Sequence, residues 1–333
     1  MPRFLENKKK IWRWSLIITA VIFVYLLLFV KKPVEVQPRW GVSFSAMQAT
    51  DLGLVWPEVY GALLDDLGAR YFRLAVPWNQ LEPRPGEFDW SVLDWQLAEL
   101  AKRQGKAILA VGEKTPRWPE CHFTDWMWKL GEKERQAKVL VMLEKIVKRY
   151  KDHPALYRWQ VENERLFPFG VCHKGKFSFL RQELNLVRQL DPNHQVMTSD
   201  SGELSTWLAA AAISDVLPIS MYRVVWNKVF GYFFWPLTPS LYFYHANALS
   251  FLVPEVIISE LQAEPWSNQP LVKTPLSQQA KSMNEKIFEK NLAFARETGF
   301  AEIYLWGAEW WYWMKKNQNQ PYYWESVKKL FNK

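Results

Sequence analysis

The chain has 333 residues, 49% of them hydrophobic and 16% aromatic, with 20 tryptophans, which is enough apolar material for a sizeable core in one large domain or in two. Its formal charge of +8 is no sign of a nucleic-acid partner. Seven Lys/Arg against the single acid Glu6 place +6 of it in residues 1–32, leaving +2 for the rest of the chain and no basic stripe of the kind phosphate binding needs.

In chain order, the first predicted element is the uncharged run WSLIITAVIFVYLLLFV, residues 14–30. With Ile11 and Trp12 it approaches the ~20 residues needed to cross a bilayer, and Arg13 can snorkel toward the headgroups. A cleavable signal peptide is the rival reading, but its apolar region is usually about 7–15 residues and ends in small residues. Here the run ends in FVKKP. The pattern predicts a basic cytoplasmic tail over 1–10, a single-pass anchor in the lipid bilayer over 11–30 and a linker over 31–38. Five Lys/Arg precede the span and two follow closely, so the positive-inside bias puts the N-terminus in the cytoplasm and residues 39–333 outside, at the cell membrane. The stretch PVEVQP, at ~3.3 Å per residue, reaches only about 20 Å and keeps the following domain near that membrane.

From residue 39 on, strand-like and helix-like segments alternate. The predicted strands are 39–46, 69–76, 106–112, 156–163, 194–199, 215–222, 254–260 and 301–306. Between them, VYGALLDDLG, SVLDWQLAELAKRQG, ERQAKVLVMLEKIVKRY, FSFLRQELNLVRQL and NEKIFEKNLAFARETG carry apolar residues at helical spacing, and YYWESVKKLF supplies a last helix. Eight such units predict an α/β fold, a (β/α)8 barrel over 39–333. A doubly wound sheet is the competitor, but SAMQATDLG after the first strand is no phosphate turn. The chain holds no GxGxxG and no GxxxxGK[ST], and nothing in it calls for a cofactor.

In such a barrel the ligand site lies at the C-terminal ends of the strands. Two carboxylates are expected there: Glu164, just after the fourth strand in WQVENER, and Glu260, closing the seventh in EVIISE. Carboxylates so placed suit glycosidic bond cleavage, in which one gives a proton to the leaving oxygen and the other attacks the anomeric carbon.

These residues resemble the clan A glycoside hydrolases, retaining (β/α)8 glycosidases with Asn-Glu at the end of strand four and Glu at the end of strand seven. Arg73 in YFRLAVPW, Tyr222 in ISMYR and Trp306 in YLWGAEWW match the family's arginine near the nucleophile, its tyrosine partner and the tryptophan under the sugar. PRPGEFDWSVLDWQLAELAKRQGK resembles the strand-two loop and helix of β-galactosidase-like and xylanase-like members. The resemblance implies Glu164 as general acid/base, Glu260 as nucleophile and Asn163 as donor to the sugar 2-hydroxyl. It also implies a role for Arg73, Trp78, Tyr222 and Trp306 in binding an oligo- or polysaccharide. The family's histidine after strand three is replaced by VGEKTPRWP. A transglycosylase of wall or capsule polymers shares this chemistry, and a catalytically silent carbohydrate-binding barrel is the reading from outside it.

Other readings compete for individual residues. Glu164 has potential ion-pair partners in Arg165 and Lys174, and Glu264 is the local rival of Glu260. Glu162 shares strand parity with Glu164 and is expected to point into the barrel and pair with a cation. Trp78, Trp118, Trp126, Trp128, Trp266 and the run Trp310–Trp313 are expected in mouth loops, either stacking on sugars or filling the core. Cys121 and Cys172, the only cysteines, follow adjacent strands in an oxidising exterior and are expected to form a disulfide. A composite metal site of WPECH and GVCH is the alternative, and no metal is otherwise indicated. Residues 224–253, densely aromatic and broken by Pro236 and Pro239, read as a lid, as an amphipathic element on the bilayer, or as a helix with a packed loop.

Overall fold

The computed structural model describes residues 36–331 and, before them, residues 12 and 14–19, which are helical and exposed. Most of the predicted tail, anchor and linker (1–38) therefore lies outside the described residues. Among the described residues no helix is long and apolar enough to cross a membrane.

The strands, in chain order, are β1 (Arg39–Phe44), β2 (Tyr71–Ala75), β3 (Lys106–Val111), β4 (Leu156–Val161), β5 (Gln195–Met197), β6 (Asp200–Ser201), β7 (Leu217–Met221), β8 (Val224–Asn227), β9 (Gly231–Phe234), β10 (Val256–Gln262) and β11 (Glu302–Trp306). All eight predicted strands are present. The sheet order is β5-β4-β3-β2-β1-β11-β10-β7-β6, parallel throughout. Its two ends, β5 and β6, are one strand interrupted at Thr198 and Ser199. The first half pairs with β4 and the second with β7, which closes the ring into a curled α/β barrel.

Strands covered on both faces read as continuous apolar runs, as KAILAV of β3 does. The helices cover them through one stripe each. In Glu132–Tyr150, the buried Val139, Met142, Leu143, Ile146, Val147 and Tyr150 recur at three- and four-residue spacing. Glu132 and Glu134 in its first turn and Lys148 and Arg149 in its last suit the helix dipole. Helices Trp56–Asp65, Ser91–Lys102, Phe177–Leu190, Glu285–Glu297 and Tyr322–Phe331 match the predicted ones.

Two regions differ from expectation. The run Trp310–Trp313 is no mouth loop: it lies in helix Ala308–Asn317, with Trp310, Trp311 and Trp313 buried. The indole N–H groups of Trp310 and Trp311 donate to Gln279 and to the Ala263 carbonyl. Residues 224–253 form the antiparallel hairpin β8–β9, which the alternation did not reveal, and helix Pro239–Ala248, which opens on Pro239 and buries Tyr242 and Tyr244.

Cys121 and Cys172 are joined, with Cα atoms 5.3 Å apart. Both thiols are thereby consumed, which removes the composite metal site. The bridge ties the loop after β3 to the loop after β4 across a sequence separation of 51. Loop-closure entropy of that size stabilises a fold by about 2–4 kcal/mol. The double variant Cys121→Ser/Cys172→Ser is expected to lose about that much in equilibrium urea unfolding; an unchanged midpoint would show that the bridge contributes no stability.

Candidate active site

The barrel mouth is organised by one cation. Arg73, in the middle of β2 and 1% exposed, donates from Nη1 to Glu260, from Nη2 to the Asn163 side-chain oxygen and from Nε to Gln160, each at 2.7 Å. The other Glu260 oxygen accepts from the Tyr222 hydroxyl at 2.8 Å. Burial, and then the negative charge of Glu260, push the Tyr222 phenol well above its usual range and keep it a donor. Both oxygens of Glu260 are thus met. The β10 register slips at Ser259–Glu260 against β7, and such a bulge re-aims the side chain that follows it.

Glu164 stands across from this group. Its backbone is left-handed, with φ 44°, and its N–H donates to the Ser199 hydroxyl at 3.0 Å. Its carboxyl accepts from the Ser220 hydroxyl at 2.5 Å. Ser220 is the in-register neighbour of Glu260 on β7, so one serine links the two carboxylate positions. Burial chiefly, and then the Glu260 charge, push Glu164 up to about 7, against the opposing pull of Ser220 and Lys114. Ser199, at the break in the fifth strand, also donates to Asn163 at 2.9 Å.

The loop after β3 closes over this arrangement. Lys114, 1% exposed, donates to the carbonyls of Glu164 (2.9 Å) and Phe167 (3.1 Å) and pairs with Glu120 at 3.0 Å. Arg117 joins Glu264 to Glu309, the latter at 2.6 Å, and its guanidinium lies 3.9 Å over the Trp306 ring. Trp306 is therefore covered on one face by protein. Glu264 is occupied in this triad, which takes it out of competition with Glu260.

Two further expectations need correction. Glu162 does not point into the barrel. Its φ of 63° breaks the strand alternation, and it turns to accept the backbone N–H groups of Glu113 (2.6 Å) and Lys114 (2.8 Å), with the Arg165 cation at 3.6 Å. Gly112, at φ 136°, makes room: a Cβ there would lie 2.5 Å from the Glu162 carboxyl. Trp78 is fully packed, edge-on to Phe123 and Trp126, with its N–H given to Glu82 at 2.8 Å. It presents no face to ligand. Arg165 pairs with Glu113 at 2.8 Å rather than with Glu164.

Among the described residues no cluster of His, Cys, Asp or Glu could hold a metal. Gln160, Ser199 and Ser220 were missed by sequence reasoning. Gln160 carried a signal, a polar residue inside a buried strand; the serines carried none.

A family model described as Beta-galactosidase (glycoside hydrolase family 42) matches residues 60–182, a span that holds Arg73, Asn163 and Glu164. Beta-galactosidase LacZ of Heyndrickxia coagulans is 25% identical over 160 residues, 41% of this chain and 24% of that one. Over that segment the chain is similar to β-galactosidases. It spans less than half the length of the curated relatives it matches. Among solved structures, the cold-adapted β-galactosidase of Rahnella sp. R3 superposes with a TM-score of 0.58 at 14% identity, over 91% of this chain and 57% of that one. A family 10 endoxylanase from a sugarcane soil metagenome gives 0.54 at 13%, over 81% and 86%. These likenesses carry the fold. Glu260 lies beyond the matched segment.

Behind the site, Glu183 is fully buried, has no donor on either oxygen, and faces Glu162. Burial chiefly raises both groups, Glu183 well above the usual carboxylate range, while the Arg165 cation and the backbone N–H it accepts oppose the rise at Glu162. A carboxyl raised in the folded state contributes stability below its unfolded pKa that is lost as pH rises toward the folded one. Glu183→Gln keeps a donor without titrating. Its urea midpoints, compared with the parent between pH 5 and 8, are expected to show a slope shallower by up to about 1.4 kcal/mol per pH unit; parallel slopes would mean the pair is not proton-linked.

Proposed function

We propose that the protein is a retaining β-glycosidase acting on a cell-surface or environmental glycan. The observation that carries this is the pairing of two unlike carboxyls at one mouth. Glu260 accepts from a guanidinium and a phenol, while Glu164, held near 7 by burial and by its neighbour's charge, retains a proton to give. In this reading Glu164 protonates the leaving oxygen as Glu260 attacks the anomeric carbon. Glu164 then takes a proton from the water that releases the sugar. Asn163, fixed by Arg73 and Ser199 through its oxygen, has its amide N–H₂ directed to the sugar 2-hydroxyl.

Mass spectrometry of the protein trapped with an activated 2-fluoro glycoside is expected to find the adduct on Glu260, and Glu260→Gln to abolish turnover while folding is kept. Since Glu164 must be protonated to act, kcat/KM should fall as pH rises through about 7. Glu164→Gln should lower it by about 10²–10⁴ and remove that limb. Absence of both turnover and adduct across aryl β-glycosides would leave the second reading, a silent carbohydrate-binding barrel. The guanidinium lying over Trp306 favours that reading. Transfer of the glycosyl group to an acceptor sugar rather than water is the third, separated by product analysis.

The apolar run over 11–30 and the charge bias around it support anchorage in the cell membrane, with the barrel outside. Protease added to intact cells is expected to digest the barrel and spare the N-terminal tail; a barrel protected until the membrane is broken would place it in the cytoplasm.

A further inference from the structure

The segment that joins β7 to β10, residues 224–253, is exposed and almost without charge. Lys228 is its one lysine and it holds no Asp, Glu or Arg, although 23% of the whole chain is charged. Val229 (81% exposed) and Phe230 (74%) form the tip of the β8–β9 hairpin, the exposed Phe234 closes β9, and Phe251 (77%) lies in the turn before β10. Large apolar side chains this exposed, grouped on one segment, mark a surface that meets something other than water.

That exposure is built into the backbone. The Asn227 side-chain oxygen accepts the N–H groups of Val229 (2.9 Å) and Phe230 (2.8 Å), and Gly231 at φ 67° completes the turn. At the base, Gln262 of β10 grips both backbone groups of Val224, at 2.9 and 2.7 Å, and the Arg223 guanidinium donates to the Trp235 and Leu237 carbonyls. The hairpin pairs with no strand of the barrel, so its tip stands off the ring. Helix Pro239–Ala248 then carries the chain down the outside of the barrel, with Tyr242 and Tyr244 buried and Leu241 exposed.

The strip runs the height of the barrel on one side. In a parallel barrel the hairpin after β7 is at the mouth end, and the turn before β10 is at the opposite end, where β1 also begins. A chain of ion pairs joins these two starts. Arg39, which opens β1, pairs with Glu302, Glu302 with Arg158, and Arg158 with Glu255, just after the turn that carries Phe251. The chain preceding Arg39 thus leaves the barrel at the end that bears Phe251, and the linker ahead of it reaches only about 20 Å from the apolar run over 11–30. We propose that this strip rests in the interface of a phospholipid bilayer, with Val229, Phe230 and Phe251 at the headgroup–acyl boundary and Lys228 reaching back to the phosphates. The barrel then lies on its side, and its mouth opens along the membrane rather than away from it. The proposal rests on the reading of 11–30 as an anchor, and not on turnover.

Both native cysteines are bridged, so one added cysteine is the only free thiol. Phe230→Cys, Phe251→Cys and, as control, Ala98→Cys are labelled with the polarity-sensitive fluorophore NBD in the full chain. Each is reconstituted in vesicles of phosphatidylcholine and phosphatidylglycerol. Ala98 is exposed on helix Ser91–Lys102, which joins β2 to β3 on the opposite side of the ring from the strip. Doxyl-labelled lipid is expected to quench most of the emission at positions 230 and 251 and to leave that at 98 unchanged. Emission unaffected by doxyl lipid at either 230 or 251, in a chain that floats with the vesicles, overturns the proposal and leaves the anchor standing. Shielding of those labels that grows with protein concentration but not with doxyl lipid assigns the strip to a second copy of the chain, and equally overturns it. A chain that does not float with vesicles overturns the proposal and the anchor together, and glycoside turnover bears on neither.

Discussion

A single guanidinium holds the barrel mouth together. Arg73 is the point at which the ends of β4 and β10 meet, because three of its N–H donors go to Gln160, Asn163 and Glu260. Its charge is taken out of water, and the compensating carboxylate is equally buried. Removing either partner leaves the other uncompensated, which in buried pairs costs about 3–5 kcal/mol. The position of Glu260 is thus a consequence of the core. Tyr222 satisfies the second oxygen while Arg73 holds the first, and the charge of Glu260 adds to burial in raising Glu164.

The loop after β3 is the other structural decision. It carries Lys114 and Arg117, and neither cation is left free. Lys114 spends its donors on the carbonyls that shape the turn around Glu164, and Arg117 on two carboxylates that tie the ends of β10 and β11. Glu162 braces the same loop from behind through two backbone N–H groups. The mouth is a set of ion pairs, each interior to the next loop, which explains how so many charged residues stay buried in a nearly neutral domain.

The parts of this legible in the sequence are those set by periodicity and local chemistry. All eight barrel strands showed as short apolar runs, and the six amphipathic helices by their spacing. Glu164 and Glu260 were visible as carboxylates at strand ends, and Arg73, Asn163 and Tyr222 only through the family resemblance. The illegible parts depend on backbone departures from regularity. Glu162 was assigned by parity, and parity fails when φ turns positive; the bulge at Ser259–Glu260 has no sequence mark; the tryptophans after β11 look the same in a loop as in a helix. Trp306 was expected, by resemblance, to lie under the sugar; its cover, Arg117, arrives from 189 residues earlier in the chain and has no local mark.

The interrupted fifth strand gives the ring a seam. It is held by three paired residues on the β4 side and two on the β7 side, against five between β2 and β3. Ser199 lies in that gap and bonds Asn163 and Glu164 on one side, while Ser220, on the far side of the gap, bonds Glu164 from the other. The arrangement around Glu164 is therefore a property of the closed circle rather than of either arc.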